Sequence, residues 1–582
     1  MESTPLEQLQ TFVAQLLSRH RAIRQHEDED LSLVYADSLL LHARVRPHLN
    51  DFPPQVVVIG PTQSGKSTVA NLLLGGKIAE SSPLAGYTRH AQGFSSQEVD
   101  ASLQAGTDSL LPGLHRIPAA ELNNDQLDRY TLEAIEDARP FTDPVVTWDT
   151  PDFDSVSSRS YRSTVPMLCA IADLIVLVVS KDKYADYTVW ETLRLIGPIN
   201  RPLLVCLNKT PAESRDELSG IVASKFNEEA IEYTAITALP YLAEADFETF
   251  FVHPNAEQLR TLATENLPES ERLTDLTTLQ HFIQAHWDDW TGQLQAEQQA
   301  QAHWEKLVTK NIKLASQRYE RDYLRDPHYG DTLQQAIAKL LGLLELPGIA
   351  SALAKARQTI TWPVRSLVGF IKKQPLTAEV TPTIDHETQA LQEGIAHTLL
   401  QLQRTAGEQS TSAADDARLW WQQLWQTLQT TQSELEQSGH QTIKTHQSEF
   451  APEINRAAES LYAHLQEHPI TLNGLRATRV TTDAAAVVFA LKTGGIGLSD
   501  LVFAPAMLTF TSMLTESAVG RYMKTVEEKL RDSQLASARQ HVFAQLQQQL
   551  TELPMKMDHN GLYALPADDL KNAQKALQAL AS

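Results

Sequence analysis

Apolar positions near the start of the chain recur at helical spacing. Leu6, Leu9, Phe12, Val13, Leu16 and Leu17 fall on one face of a helix. Ahead of them, Thr4, Pro5 and Glu7 supply an N-cap, a first-turn proline and a capping-box acid. A second helix is predicted over about 30–48, up to the break at Asp51-Phe52-Pro53-Pro54. The pattern then changes. The runs 55–60 (QVVVIG), 144–149 (PVVTWD), 173–180 (DLIVLVVS) and 202–208 (PLLVCLN) are short and rich in Val, Leu and Ile, with helical patterns between them. Strands that are apolar on both faces and alternate with helices predict a mostly parallel sheet covered on both sides. Residues 273–287 read as the last helix of that α/β domain. Beyond about 291 strand signals almost vanish. Amphipathic patterns run over about 291–322, 386–404, 413–447 and 521–552, punctuated by prolines near 347, 363, 375, 382 and 452. They predict a large all-α region of bundled helices or helical hairpins.

Length and charge narrow the function classes. A chain of 582 residues is too long for one core. Its net charge of −23 repels phosphate backbones, so no nucleic acid is expected as a partner. Cys169 and Cys206 both lie in apolar runs, which excludes a disulfide scaffold and fits a reducing compartment. The first residues lack the basic-then-apolar pattern of a secretory leader. The longest uncharged apolar run, 501–515, has 15 residues, against the roughly 20 of a spanning helix. A cytoplasmic protein, peripheral at a membrane at most, is expected.

The strongest chemical signal is Gly60-Pro61-Thr62-Gln63-Ser64-Gly65-Lys66-Ser67, which satisfies G-x-x-x-x-G-K-[ST]. It follows the strand QVVVI and opens the helix STVANLLLG, the context this phosphate loop requires. Gly60 and Gly65 let the backbone curl so that successive N–H groups face a phosphate, and the helix N-terminus adds a favourable dipole. Lys66 is placed to reach β- and γ-phosphates, and the Ser67 hydroxyl to hold Mg²⁺. Gln63, Ser64 and Thr68 complete the expected nucleotide-binding set. Asp149, at the end of PVVTWD, offers a carboxylate that reaches Mg²⁺ directly or through water. Asn208 and Lys209 close the strand PLLVCLN. All three motifs sit at carboxyl ends of strands, where open α/β sheets bind ligands.

In this order the motifs resemble GTPases of the Ras- and translation-factor-related (TRAFAC) class. The chain is most similar to dynamin-like and related large GTPases, on four features. Helices precede the nucleotide domain, a long interval separates Lys66 from Asp149, a long helical region follows, and Leu84-Ala85-Gly86-Tyr87-Thr88-Arg89 looks like a switch threonine with its arginine. The resemblance implies that Thr88 is a second Mg²⁺ ligand that senses the γ-phosphate and joins Lys66 in the catalytic set. It also implies GTP as substrate.

The sequence departs from this pattern in four places. Asp152 stands where the family has a glycine, and its carboxylate adds repulsion beside a γ-phosphate. Phe153 replaces the water-orienting Gln of small members, Gln63 replaces a usual Ser or Asn, and Pro211 replaces the guanine-reading Asp. Glu213 and Asp216 are the carboxylates left to replace that acid, and Thr234 to Leu239 is a weak match to the loop over the base.

The expected organisation is N-terminal helices (1–50) packing on the C-terminal bundle, a P-loop GTPase domain (51–290), and a helical bundle or stalk (291–582). Two segments of the stalk stand out. Residues 354–373 carry Lys355, Arg357, Arg365, Lys372 and Lys373 among Trp362, Phe370 and aliphatic residues, with no acid. This fits an anionic membrane surface or an ordinary packed helix. Residues 484–520 form two apolar stretches around Gly494-Gly495-Ile496-Gly497, read as a hairpin in the bundle core rather than one dipping into lipid. The function implied is a GTP-binding protein that hydrolyses GTP slowly and couples nucleotide state to its stalk. It would be dynamin-like, membrane-associated, and able to self-associate through the nucleotide domain or stalk. The altered positions leave open a nearly inert nucleotide-binding scaffold or a P-loop ATPase.

Overall fold

The computed structural model describes residues 4–24, 29–76, 79, 89–122, 126–135, 144–152, 162–241, 247–268, 274–325, 331–344, 386–477 and 505–581. They divide into two units, Met1–Gln298 with His559–Ser582, and Gln299–Asp558. Of the expected features, Thr88, Phe153, segment 354–373 and most of hairpin 484–520 lie outside the described residues.

The first unit begins with α1 (Pro5–Arg24) and α2 (Leu31–Val45). The capping box forms as predicted: Glu7 N–H donates to Thr4 Oγ1 at 3.2 Å, and Thr4 N–H donates to Glu7 Oε2 at 3.0 Å. Then come β1 (Gln55–Ile59), α3 (Lys66–Leu74), β2 (Ala91–Ser95), α4 (Ala101–Leu110), β3 (His115–Arg116) and β4 (Arg129–Ala134). They are followed by β5 (Val146–Asp149), α5 (Thr164–Ile171), β6 (Leu174–Ser180), α6 (Tyr187–Ile196), β7 (Leu203–Thr210), α7 (Arg215–Glu228) and β8 (Ala235–Pro240). One eight-stranded sheet results, in the order β3-β4-β2-β5-β1-β6-β7-β8. It is parallel throughout except where β2 runs antiparallel to β5.

Alternation along the central strands fills a core on each face, as a two-residue side-chain period requires. Val57 and Ile59 of β1 point into a core shared with α1, α2, α5, α6 and the C-terminal helix Ala567–Gln578. Val56 and Val58 point the other way, onto α3 and the helix Pro254–Glu265. The N-terminal helices therefore join the nucleotide unit's core, where Phe282, Trp287 and Trp290 of the helix Leu276–Tyr319 and the C-terminal helix also pack. The approach of the C-terminal helix is fixed by Glu297, whose carboxylate accepts from the Tyr563 and Ala564 N–H groups at 3.1 Å each, and by a buried His20–Tyr563 hydrogen bond of 3.0 Å.

Two local expectations are corrected. The helix over 273–287 does not end the domain but runs from Leu276 to Tyr319, and the unit boundary falls within it. Pro452 does not break a helix, because Asp415–Gln466 is continuous through it.

The second unit is helical, built mainly on His386–Ser412, Asp415–Gln466 and Gly520–Ala538. Of the apolar hairpin's second arm, the helix Pro505–Glu516 is described, and Leu514 is buried with Phe450, Leu461 and Met523 in this unit's core. A buried polar knot lies in the same unit. Glu387 Oε1 accepts from the Tyr319 hydroxyl (2.6 Å), Gln534 Nε2 (2.7 Å) and His446 Nε2 (3.1 Å). His446 Nδ1 lies 2.9 Å from Ser537 Oγ. Two π-helical turns, Glu320–Leu324 and Arg539–Phe543, flank the knot, and Arg539 donates to Ser316 across 2.9 Å. No helix among the described residues is long and apolar enough to cross a membrane.

Candidate nucleotide-binding site

The loop between β1 and α3 is shaped by contacts that only its glycines permit. A Cβ on Gly60 would lie 2.2 Å from the Val178 carbonyl oxygen of β6, so this turn closes only without a side chain. Gly65 caps α3 in the left-handed region (φ +94°), and a Cβ there would meet Asn208 Nδ2 at 2.2 Å. The loop is thus held against β6 and β7, and the first N–H groups of a helix, which have no intrahelical acceptor, suit an anion at this end of α3. Thr68 sits in the first turn of α3.

Asn208 and Lys209 strap this loop to the end of β7. Asn208 Nδ2 donates to the Ser64 carbonyl at 2.9 Å, and its Oδ1 accepts from Lys209 N–H at 2.9 Å. Lys209, itself in the left-handed region at φ +56°, donates from Nζ to the Gln63 carbonyl at 2.8 Å. The pair expected from sequence to contact nucleotide forms, in the structure, a clamp on the loop. On the opposite side, Thr150 Oγ1 donates to the Val58 carbonyl at 2.8 Å and fixes the segment after β5 beside β1. Sequence reading missed this tie, because a threonine in a turn carries no signal of its own.

Asp149 ends β5 fully buried, and its Oδ2 accepts from the Ser67 hydroxyl at 2.7 Å. Its Oδ1 is buried and has no hydrogen-bond partner among the described residues. Burial pushes this carboxyl up to about 6, helped by the nearby charge of Asp152 and opposed by Lys66 and the Ser67 hydroxyl. A hydroxyl beside a carboxylate with one oxygen uncommitted is a hard-oxygen donor set, and it suits Mg²⁺. Lys66 Nζ forms a buried ion pair with Asp152 Oδ1 and lies 3.4 Å from the Pro61 carbonyl. The sequence reading treated Asp152 as a source of repulsion, whereas the structure makes it the partner of Lys66.

The base-reading region differs from expectation. Residues 234–239 do not form a loop. Ala235–Pro240 is strand β8, paired in parallel with β7. Pro211 leads into a short turn, Ala212–Ser214, and Glu213 and Asp216 are both exposed.

A strand, a glycine-shaped loop, a lysine at a helix start, a strand-end aspartate and an Asn-Lys clamp together define a P-loop nucleotide-binding domain. Residues 55–209 match the sequence profile of the 50S ribosome-binding GTPase family, so this segment is a TRAFAC-class P-loop GTPase domain. No curated protein matches the chain. Among solved structures, it is similar to Era from Aquifex aeolicus bound to GDP·AlF4−, with 20% identity over 37% of this chain and 57% of that one, at a TM-score of 0.24. The chain therefore spans less than two thirds of that structure's length. A member of an oligomerised bacterial dynamin pair is 11% identical over 95% of each chain, at a TM-score of 0.29. The bacterial dynamin GTPase LeoA from ETEC is 13% identical over 100% of this chain and 99% of that one, at 0.25.

Proposed function

We propose that the protein binds GTP with Mg²⁺ at the end of this sheet, hydrolyses it slowly, and couples the phosphate state to its helical region in the manner of a large dynamin-like GTPase. The observation that carries this reading is the match of 55–209 to a GTPase family, with Lys66, Ser67, Asp149, Asn208 and Lys209 gathered around one glycine-shaped loop. Lys66 would place its charge on the β- and γ-phosphates. Ser67 and Asp149 would hold Mg²⁺, which supplies charge neutralisation on the same phosphate oxygens. Thr88 would be the second metal ligand, and the basic segment 354–373 a contact for anionic lipid.

Slow turnover follows from Phe153, which cannot orient water by hydrogen bonding. Small GTPases without an activator run at about 10⁻⁴ to 10⁻³ per second until a donor is supplied in trans. Single-turnover hydrolysis should therefore lie in that range at low protein concentration and rise as concentration is increased, a second copy supplying the donor. Rapid hydrolysis independent of protein concentration would contradict this reading.

A further inference from the structure

We infer that Asp152 discriminates between nucleoside di- and triphosphates, by occupying on Lys66 the place that a γ-phosphate would take. The inference rests on the nucleotide-binding reading above. It starts from the division of labour between two carboxylates. Asp149 engages Ser67, the residue on the metal side of the loop, and Asp152 engages Lys66, the residue on the phosphate side. The Lys66 and Asp152 side chains are only 5% and 8% exposed. A buried ammonium without a partner is strongly disfavoured, so Asp152 neutralises Lys66 when no phosphate does.

Phosphate chemistry then separates the two ligands. A nucleoside diphosphate meets the loop N–H groups and reaches Lys66 through its β-phosphate alone, leaving room for the carboxylate on the ammonium. A triphosphate brings a further anionic group to Lys66. It must displace the Asp152 carboxylate and then lie beside it in a site where charges are weakly screened. A glycine at this position presents no such charge. The chain therefore selects against the γ-phosphate by a built-in competitor. Binding of a triphosphate breaks a buried ion pair at the end of β5, whereas binding of a diphosphate preserves it.

The test compares the full-length protein with Asp152→Asn and Asp152→Gly. Fluorescent GDP, displaced by unlabelled GDP or by a non-hydrolysable GTP analogue in Mg²⁺ buffer, gives the two affinities for each protein. Both variants should bind the GTP analogue at least tenfold more tightly than the unsubstituted chain, with GDP affinity changed by less than threefold. Circular dichroism establishes folding, and the near-isosteric Asn variant decides if the Gly variant fails to fold. An unchanged ratio of GTP to GDP affinity would overturn the inference while leaving nucleotide binding standing. Weaker GTP-analogue binding in the variants would overturn it as well, by making Asp152 a supporter of the triphosphate or its metal. No binding of fluorescent GDP to any of the three proteins would remove the nucleotide-binding reading together with the inference.

Discussion

Replacing Lys66 by alanine should lower GTP affinity by at least a hundredfold. Lys66 Nζ is buried at the start of α3 and aimed into the loop. With a triphosphate bound it would make charge-assisted hydrogen bonds to two phosphate groups, each worth about 1.5–3 kcal/mol. Losing both removes at least about 3 kcal/mol, and each 1.4 kcal/mol is tenfold in affinity. The same substitution also removes the Lys66 ion pair of Asp152 and the charge that opposes protonation of Asp149. The nucleotide-free variant should therefore melt at a lower temperature, and calorimetric titration has to be run below that transition. Undiminished affinity for GTP would remove the assignment of residues 60–67.

The second large effect lies in the helical unit. Glu387→Ala leaves the Tyr319 hydroxyl, Gln534 amide and His446 imidazole donors without their common acceptor. Leaving a buried donor unsatisfied costs about 1–3 kcal/mol, so the loss of this shared acceptor costs about 3 kcal/mol or more over the three donors. For a unit of this size that corresponds to a fall in melting temperature of roughly 6 °C or more. Glu387→Gln retains an acceptor oxygen and should cost less.

The charge adds a pH dependence. Burial alone would raise the Glu387 carboxyl, but its hydrogen bond and attraction to His446, with the Tyr319 and Gln534 bonds, hold it below the usual glutamate range. A folded value below the unfolded one, near about 4.3, means the contribution is complete above that pH and is lost as pH falls through the lower folded value. Thermal melts between pH 7 and pH 3 should show this acid-dependent loss in the unsubstituted protein and its absence in Glu387→Gln. A Glu387→Ala protein melting with the unsubstituted one would show that the knot contributes nothing.

The parts of the fold that could be read from sequence are those whose physics is local. The central strands β1, β6 and β7 are buried on both faces over most of their length, so they had to be rich in Val, Leu and Ile. Strand β2 reads AQGFS and carries no such run, because Gly93 lies opposite Trp148, and a Cβ there would come within 2.9 Å of the indole ring. Space made for one tryptophan erased the strand's own signal. The helix Leu276–Tyr319 crosses the expected domain boundary because no proline interrupts it. The return of Ala567–Gln578 to the nucleotide unit depends on partners such as Glu297, more than 260 positions away in the chain, which no local pattern encodes.

The site divides in the same way. The phosphate loop was legible because its glycines, lysine and serine must be contiguous for the backbone to wrap an anion. The pairing of Lys66 with Asp152 was not, because it joins residues 86 apart and places an acid where the family pattern has none. The clamp from Asn208 to Ser64 spans 144 positions, so the motif pointed to the residue but not to its hold on the loop.

Guanine preference is where sequence and family pull apart, since Pro211 replaces the base-reading acid while residues 55–209 match a GTPase family. The most direct test of the account is equilibrium competition, in which GTP, GDP and ATP each displace a fluorescent guanine nucleotide from the full-length protein with Mg²⁺ present. The account predicts that GTP and GDP displace it at concentrations at least tenfold below ATP. Displacement by ATP at equal or lower concentration would contradict it.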